Sequence, residues 1–254
     1  MLNLGTQNIP ALYLGGEQIQ KAYLGEAVVL GSGSEPGPSR LPEGYTEVEY
    51  IQSSGTQYID TDIAPRFVNS KIDTKVTIDV QKTSTITTTE SYFGCRWYTG
   101  RFSSDRYYSS FFVYSYNNGL FAAFGYGNPV PSKELISNVA AERNLITLDG
   151  PNRIASIGDV VVPLTDLSGY TISSAQPDIY LLGLRSYFAS DGTSDVVSKM
   201  PAKLYSCQIE KGGELVRDFV PCIDPTGAVG LYDLVEGKFY ANAGTGAFTA
   251  GPAV

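Results

Sequence analysis

The chain has 254 residues, 43% hydrophobic and 17% charged, with a formal net charge of −8. That length builds one large domain, or a large domain with a small appendage, and 12% aromatic content with modest charge excludes a disordered chain. No run approaches the roughly 20 apolar residues of a membrane span, so membrane insertion is not expected, and an acidic balance without Lys/Arg blocks argues against nucleic acid as a partner.

Histidine is absent. The commonest general base, the Ser-His and Cys-His nucleophile pairs and the commonest zinc ligand are therefore excluded. Three cysteines, Cys95, Cys207 and Cys222, are too few and too scattered for a zinc cluster or a disulfide framework. They read as buried thiols acting as small hydrophobes. The chain opens without a basic region followed by an apolar run, so no secretory signal is expected and synthesis in a reducing compartment is. No cofactor is expected.

Residues 1–30 read as a small β module. Ala11-Leu12-Tyr13-Leu14-Gly15 and Lys21-Ala22-Tyr23-Leu24-Gly25 are near-copies ten residues apart, each a short strand ending at a glycine. Residues 26–30 add another strand. So short a unit buries little surface and needs a partner or further copies of itself. Residues 31–44, rich in Gly, Ser and Pro, form a linker whose first half is flexible and second half stiffer.

Residues 45–254 are almost all strand signal. Residues 71–80 alternate, with Ile72, Thr74, Val76, Ile78 and Val80 on one face. Asn117-Asn118-Gly119 is a hairpin turn that tolerates positive φ. A second hairpin joins residues 143–148 to 153–157, a third leads on to 160–162, and a fourth joins 202–209 to 214–220. Residues 178–184 are apolar on both faces and read as one central strand. Only residues 132–142 read as holding a helical turn or two. About a dozen short strands at close turn spacing indicate an antiparallel β-sandwich, so the fold class is all-β. The absence of crossover helices excludes a parallel α/β fold.

Two segments resemble a known kind of module. One is Glu47-Val48-Glu49-Tyr50-Ile51-Gln52-Ser53-Ser54-Gly55-Thr56-Gln57-Tyr58-Ile59 within residues 41–61. The other is Asp218-Phe219-Val220-Pro221-Cys222-Ile223-Asp224-Pro225-Thr226-Gly227 with Gly230-Leu231-Tyr232-Asp233, within residues 215–249. Both look like laminin-G-like, or concanavalin A-like, jelly-roll modules of phage and prophage structural proteins. The repeated Tyr-Leu-Gly unit resembles short N-terminal modules of phage tail and fibre proteins. The resemblance implies a virion component, made in the bacterial cytoplasm. Residues 1–30 would attach it to other virion proteins or oligomerise it, a homo-oligomer such as a trimer being expected. The jelly roll would bind a host-surface glycan or protein without turnover. A capsid decoration or head-fibre protein with no ligand of its own is the first alternative, and a glycan hydrolase the second. The end segments of such a sandwich are expected to pair and close the domain. Phe219, Tyr232, Phe239, Tyr240 and Phe248 read as core.

The most ligand-like stretch holds Arg96, Trp97, Tyr98, Arg101, Arg106, Tyr107 and Tyr108. Aromatic faces stack on sugar rings, and Arg donates forked hydrogen bonds to hydroxyl or acidic groups. Packing of Trp97 in the core is the competing reading. Tyr187 opens a second candidate loop, where Asp191 and Asp195 are oxygen ligands suited to calcium or simply an acidic turn. Glu47 and Glu49, two apart on one strand, would face the same way, like the acid pairs of glycanases. No third carboxylate supports them in the strand, so solvated surface groups are the plainer reading. Phe121 and Phe124, three apart, should point to opposite faces.

Overall fold

The computed structural model describes the backbone strands of residues 1–31 and residues 40–68, 71–83, 88–99, 108–127, 132–139, 141–164 and 176–254. The chain divides into two compact units, Met1–Arg40 and Leu41–Val254.

The first unit contains three antiparallel hairpins. Leu2–Leu4 pairs with Gln7–Ile9, Tyr13–Leu14 with Glu17–Gln18, and Lys21–Leu24 with Ala27–Gly31. Each closes in the same register, Leu4 opposite Gln7, Leu14 opposite Glu17 and Leu24 opposite Ala27. Leu-Gly recurs at 4–5, 14–15 and 24–25. The ten-residue repeat is therefore threefold, and its first copy, Asn3-Leu4-Gly5, escapes the Tyr-Leu-Gly pattern because Asn replaces Tyr.

The second unit is an all-β sandwich of two large sheets. The larger sheet runs in space Val160–Pro163, Ile154–Ile157, Arg143–Asp149, Thr74–Lys82, Pro201–Lys211, Glu214–Ile223, Val229–Asp233 and Lys238–Tyr240. Its central strand, Thr74–Lys82, alternates buried and half-buried along its whole length. Val76, Ile78 and Val80 fill the core, while Lys75, Thr77 and Asp79 face out. The smaller sheet runs Ser132–Ile136, Gly119–Gly127, Tyr108–Tyr116 and Glu90–Tyr98, then Tyr180–Leu181 and Ile59–Asp60. One continuous core links the sheets. Phe93, Cys95, Phe111 and Phe124 come from the smaller sheet, and Ile78, Ile146, Cys207 and Phe219 from the larger.

The two ends of the unit interlock as expected. Ile51–Ser54 pairs with Thr249–Ala250 on one side and Pro201–Lys211 on the other. Thr46–Glu47 pairs with Glu214–Ile223, and Val48 bridges Ala253. Leu41 is buried against Val220, Cys222 and Tyr232, so the sandwich begins four residues before the boundary that linker composition suggests. Phe219, Tyr232, Tyr240 and Phe248 are buried, and Phe239 is partly buried against the same cluster as Leu41.

Two elements differ from their sequence reading. Residues 132–142 hold no helical turn among those described; Ser132–Ile136 is an edge strand that buries only Leu135 fully. Residues 178–184 are not one strand. Tyr180–Leu181 pairs antiparallel to Glu90–Tyr98, the chain reverses at Leu182 (φ 61), and Leu184–Phe188 then runs parallel to the same strand. A left-handed conformation costs a leucine about 1–2 kcal/mol. It is offset here by full burial and by two backbone bonds, Leu182 N–H to Tyr92 O and Met200 N–H to Leu182 O.

Candidate functional site

The strand Glu90–Tyr98 splits the predicted aromatic-arginine stretch between the two faces of its sheet. Phe93 and Cys95 point into the core. Strand alternation puts Trp97 on that same face, one step past the core, and Arg96 and Tyr98 on the opposite one. Arg96 lies over the rings of Tyr98, at 4.6 Å, and Phe112, at 5.7 Å, and donates from Nη2 to Ser186 Oγ at 3.1 Å. Tyr98 is buried and stacked on Phe188, centroids 5.0 Å apart with planes 5° from parallel. Arg96 and Tyr98 are thus spent on packing. Gly94 permits the close approach: a Cβ there would lie 2.1 Å from Phe112 Cβ. Tyr108 closes the strand pair opposite Tyr98, while Arg101, Arg106 and Tyr107 lie outside the described residues.

Trp97 has a different environment. Its register partner across the parallel pair is Tyr187, and across the antiparallel pair Ser109. Directly opposed residues share a face, so Trp97 and Tyr187 stand side by side. Both are half-buried. Other half-exposed tyrosines lean on a second ring, Tyr50 on Tyr205 and Tyr58 on Tyr180. Among the described residues, Trp97 and Tyr187 have neither a ring partner nor a side-chain hydrogen bond.

A charged cluster continues the same row. Arg185, two residues before Tyr187, shares its face. Its Nη1 donates to Asp178 Oδ2 at 2.6 Å and lies 3.8 Å from Asp60 Oδ2, with the guanidinium 5.3 Å from the Tyr180 ring. Arg185 Nε is buried and has no hydrogen-bond partner among the described residues. Burial, with the Asp178 charge beside it, pushes the Asp60 carboxyl above the usual carboxylate range, against the pull of the Asp62 amide and Arg185. Burial, chiefly, also raises the Tyr180 hydroxyl above its ordinary range. Ser109, fully buried nearby, donates to Gln176 Oε1 at 2.6 Å. Arg185 escaped the sequence reading, although two-residue spacing from Tyr187 was the signal that held it.

The remaining candidates are accounted for locally. Asp191 accepts from Thr193 N–H at 3.0 Å and Thr193 Oγ1 at 2.6 Å, an acidic turn. No group of three or more metal-ligating side chains occurs among the described residues. Glu47 is half-buried and Glu49 exposed, on either side of buried Val48. Cys95, Cys207 and Cys222 are free thiols without solvent exposure, and burial pushes the Cys222 thiol up to about 12. Phe124 lies in the core, while Phe121 stacks on Tyr114 on the other face.

No protein-family model matches this chain, and no curated protein is similar to it.

Proposed function

We propose that this chain is a non-enzymatic structural component of a bacteriophage particle that displays a glycan- or protein-binding β-sandwich. The particle assignment rests on the resemblance of residues 41–61 and 215–249 to phage jelly-roll modules. The hairpin unit is the attachment element, because three short hairpins bury too little surface to stand alone. Binding rests on one observation: Trp97 and Tyr187 stand in register on neighbouring strands, half-buried and without a ring or side-chain hydrogen-bond partner among the described residues. Aromatic faces with an unspent polar handle suit a sugar ring or a protein hot spot. Arg185 continues the same row as a cation held in place by Asp178. Single sites of this kind are weak, and linked copies on one particle raise the effective concentration.

The test is binding of the full chain to a glycan array and to host-type bacterial cells, compared with Trp97→Ala and Tyr187→Ala. Loss of about tenfold or more in each variant, the size of one lost stacking or anchoring contact, is the expected result. A second reading, a decoration protein that packs only against neighbours, is favoured by the exposed apolar edge of the larger sheet at Val160 and Val161. Failure of the wild-type chain to bind either glycan or cells, with retention on particles, would establish that reading instead.

A further inference from the structure

A cleft lies in the opposite layer of the sandwich, on the outer face of the larger sheet. It is lined by Lys71 of the short strand Lys71–Ile72, by Asp73 and Lys75 where the chain runs on into the central strand, by Glu210 from the neighbouring strand, by Asn152 from a turn and by Gly213 from another. Its volume is 480 Å³, within the range of about 300–1,000 Å³ usual for small-ligand sites. Val68 and Pro151 give it apolar borders. Gly212 and Gly213 carry the hairpin turn at its rim with φ of 63° and 88°, and nothing stands within 4 Å of where their Cβ atoms would be. Backbone is therefore open to the cleft on that side.

The hydrogen-bonding groups here are only partly used. Lys75 Nζ donates to Glu210 Oε1 at 2.8 Å, which leaves Glu210 Oε2 free. Asp73 Oδ1 accepts from Arg66 N–H and Thr74 Oγ1, which leaves Oδ2 free. Asn152 spends its Nδ2 on Asp149 Oδ2 and keeps its Oδ1. Lys71 Nζ has no partner among the described residues. Lys71, Asp73 and Lys75 alternate with buried Ile72 and Thr74, so they face away from the core together and the charges alternate in sign along the row. An anion that reaches either lysine meets Asp73 or Glu210, and a cation that reaches either acid meets a lysine. A zwitterion small enough to take Lys71 and Asp73 Oδ2 together breaks no pair, so free amino acids are the comparator that decides the ligand class. A hydroxyl group both donates and accepts, and vicinal hydroxyls match alternating acceptors and donors without breaking any pair.

From this we infer that the cleft binds a short neutral oligosaccharide, by hydrogen bonds from its hydroxyls to Asp73, Glu210, Lys71 and Asn152. This rests on the glycan-binding reading above and adds a second site with a stated ligand class. The experiment is an amide-resolved NMR titration of the full chain with neutral oligomers of glucose, galactose, mannose and N-acetylglucosamine. Oligogalacturonate and free amino acids serve as charged comparators. At least one neutral oligomer should shift the amides of Gly212, Gly213 and Asn152, and Glu210→Gln and Lys71→Ala should each weaken it about tenfold, the size of one charge-assisted hydrogen bond. Both variants are surface changes, and an unchanged melting temperature confirms their folds. Shifts confined to the single tryptophan indole, unaffected by Glu210→Gln, overturn the cleft while leaving the aromatic site standing. Tighter binding of oligogalacturonate or an amino acid at the cleft overturns the neutral ligand. Binding of no oligosaccharide at either place overturns both readings.

Discussion

Arg217 shows how much one side chain can hold together in this fold. It is nearly buried, and donates from Nε to Thr61 O at 3.0 Å and from Nη1 to Val216 O at 2.9 Å. Its guanidinium lies 3.5 Å from Asp233 Oδ2 and 3.2 Å from Glu236 Oε2. Asp233 is fully buried and caps the adjoining turn through the Asp218 and Val235 amides. The Tyr240 hydroxyl completes the network on Glu236. Removing the cation strands a buried carboxylate, which costs about 3–5 kcal/mol. Urea denaturation of Arg217→Met should show a loss of that order. Arg217→Met with Asp233→Asn should recover much of it, because the amide keeps one cap acceptor and carries no charge. A single variant as stable as the wild type would mean that the backbone amides alone carry the Asp233 charge. None of this was legible in the sequence, where Arg217 is one arginine in an alternating strand. Its partners Thr61 and Asp233 lie at opposite ends of the domain, and pairing over that distance leaves no local pattern. The same holds for the candidate site. The residue types of Trp97 and Tyr187 were legible, but their pairing crosses a parallel register ninety positions apart. Arg96 and Tyr98 looked identical in type and proved to serve packing, since one step along a strand reverses the face.

At the scale of elements, turns were the most legible and buried runs the least. Asn117 and Asn118 both adopt positive φ, 47° and 63°, between Tyr108–Tyr116 and Gly119–Gly127. That is the two-residue turn whose twist matches the flanking strands, and asparagine tolerates it. A β-branched residue does not. Asn118→Val should cost about 1–2 kcal/mol, and Asn118→Gly should be neutral or slightly stabilising. Thermal denaturation of the two variants decides it, and equal stability would mean that the hairpin is held by its flanking pairs regardless of turn chemistry. The apolar run at 178–184 failed as a strand for a physical reason. Burial on both sides signals a place in the interior, and says nothing about direction. The chain uses that interior place to reverse at Leu182. The edge strand Ser132–Ile136 was misread for a related reason, because three exposed polar residues before one buried leucine suit either period.

At the scale of the whole molecule, the sandwich closes on itself through its own two ends. Among the described residues, Leu41 is the first packed into the sandwich, against Cys222 and Tyr232. The last strand, Thr249–Ala250, is held by Ile51–Ser54, and Val254 N–H donates to Glu47 O. The two ends stabilise each other through the backbone, so the sandwich should fold without anything that precedes it. A chain starting at Arg40 should therefore melt cooperatively at the same temperature as this unit in the full chain. A chain starting at Tyr45 loses the Leu41 side chain from its satellite core and should be less stable by about 2–3 kcal/mol, the lower range for a buried leucine. The hairpin unit should behave in the opposite way. Alone, residues 1–31 offer three two-stranded hairpins, each marginal in water, so circular dichroism of that peptide should show an unfolded chain at micromolar concentration. Attached to the sandwich, it should mediate particle retention, and the chain from Arg40 should stay folded but wash off. A folded isolated peptide would refute dependence of the unit on a partner, and an unfolded chain from Arg40 would show that the sandwich needs its preceding residues.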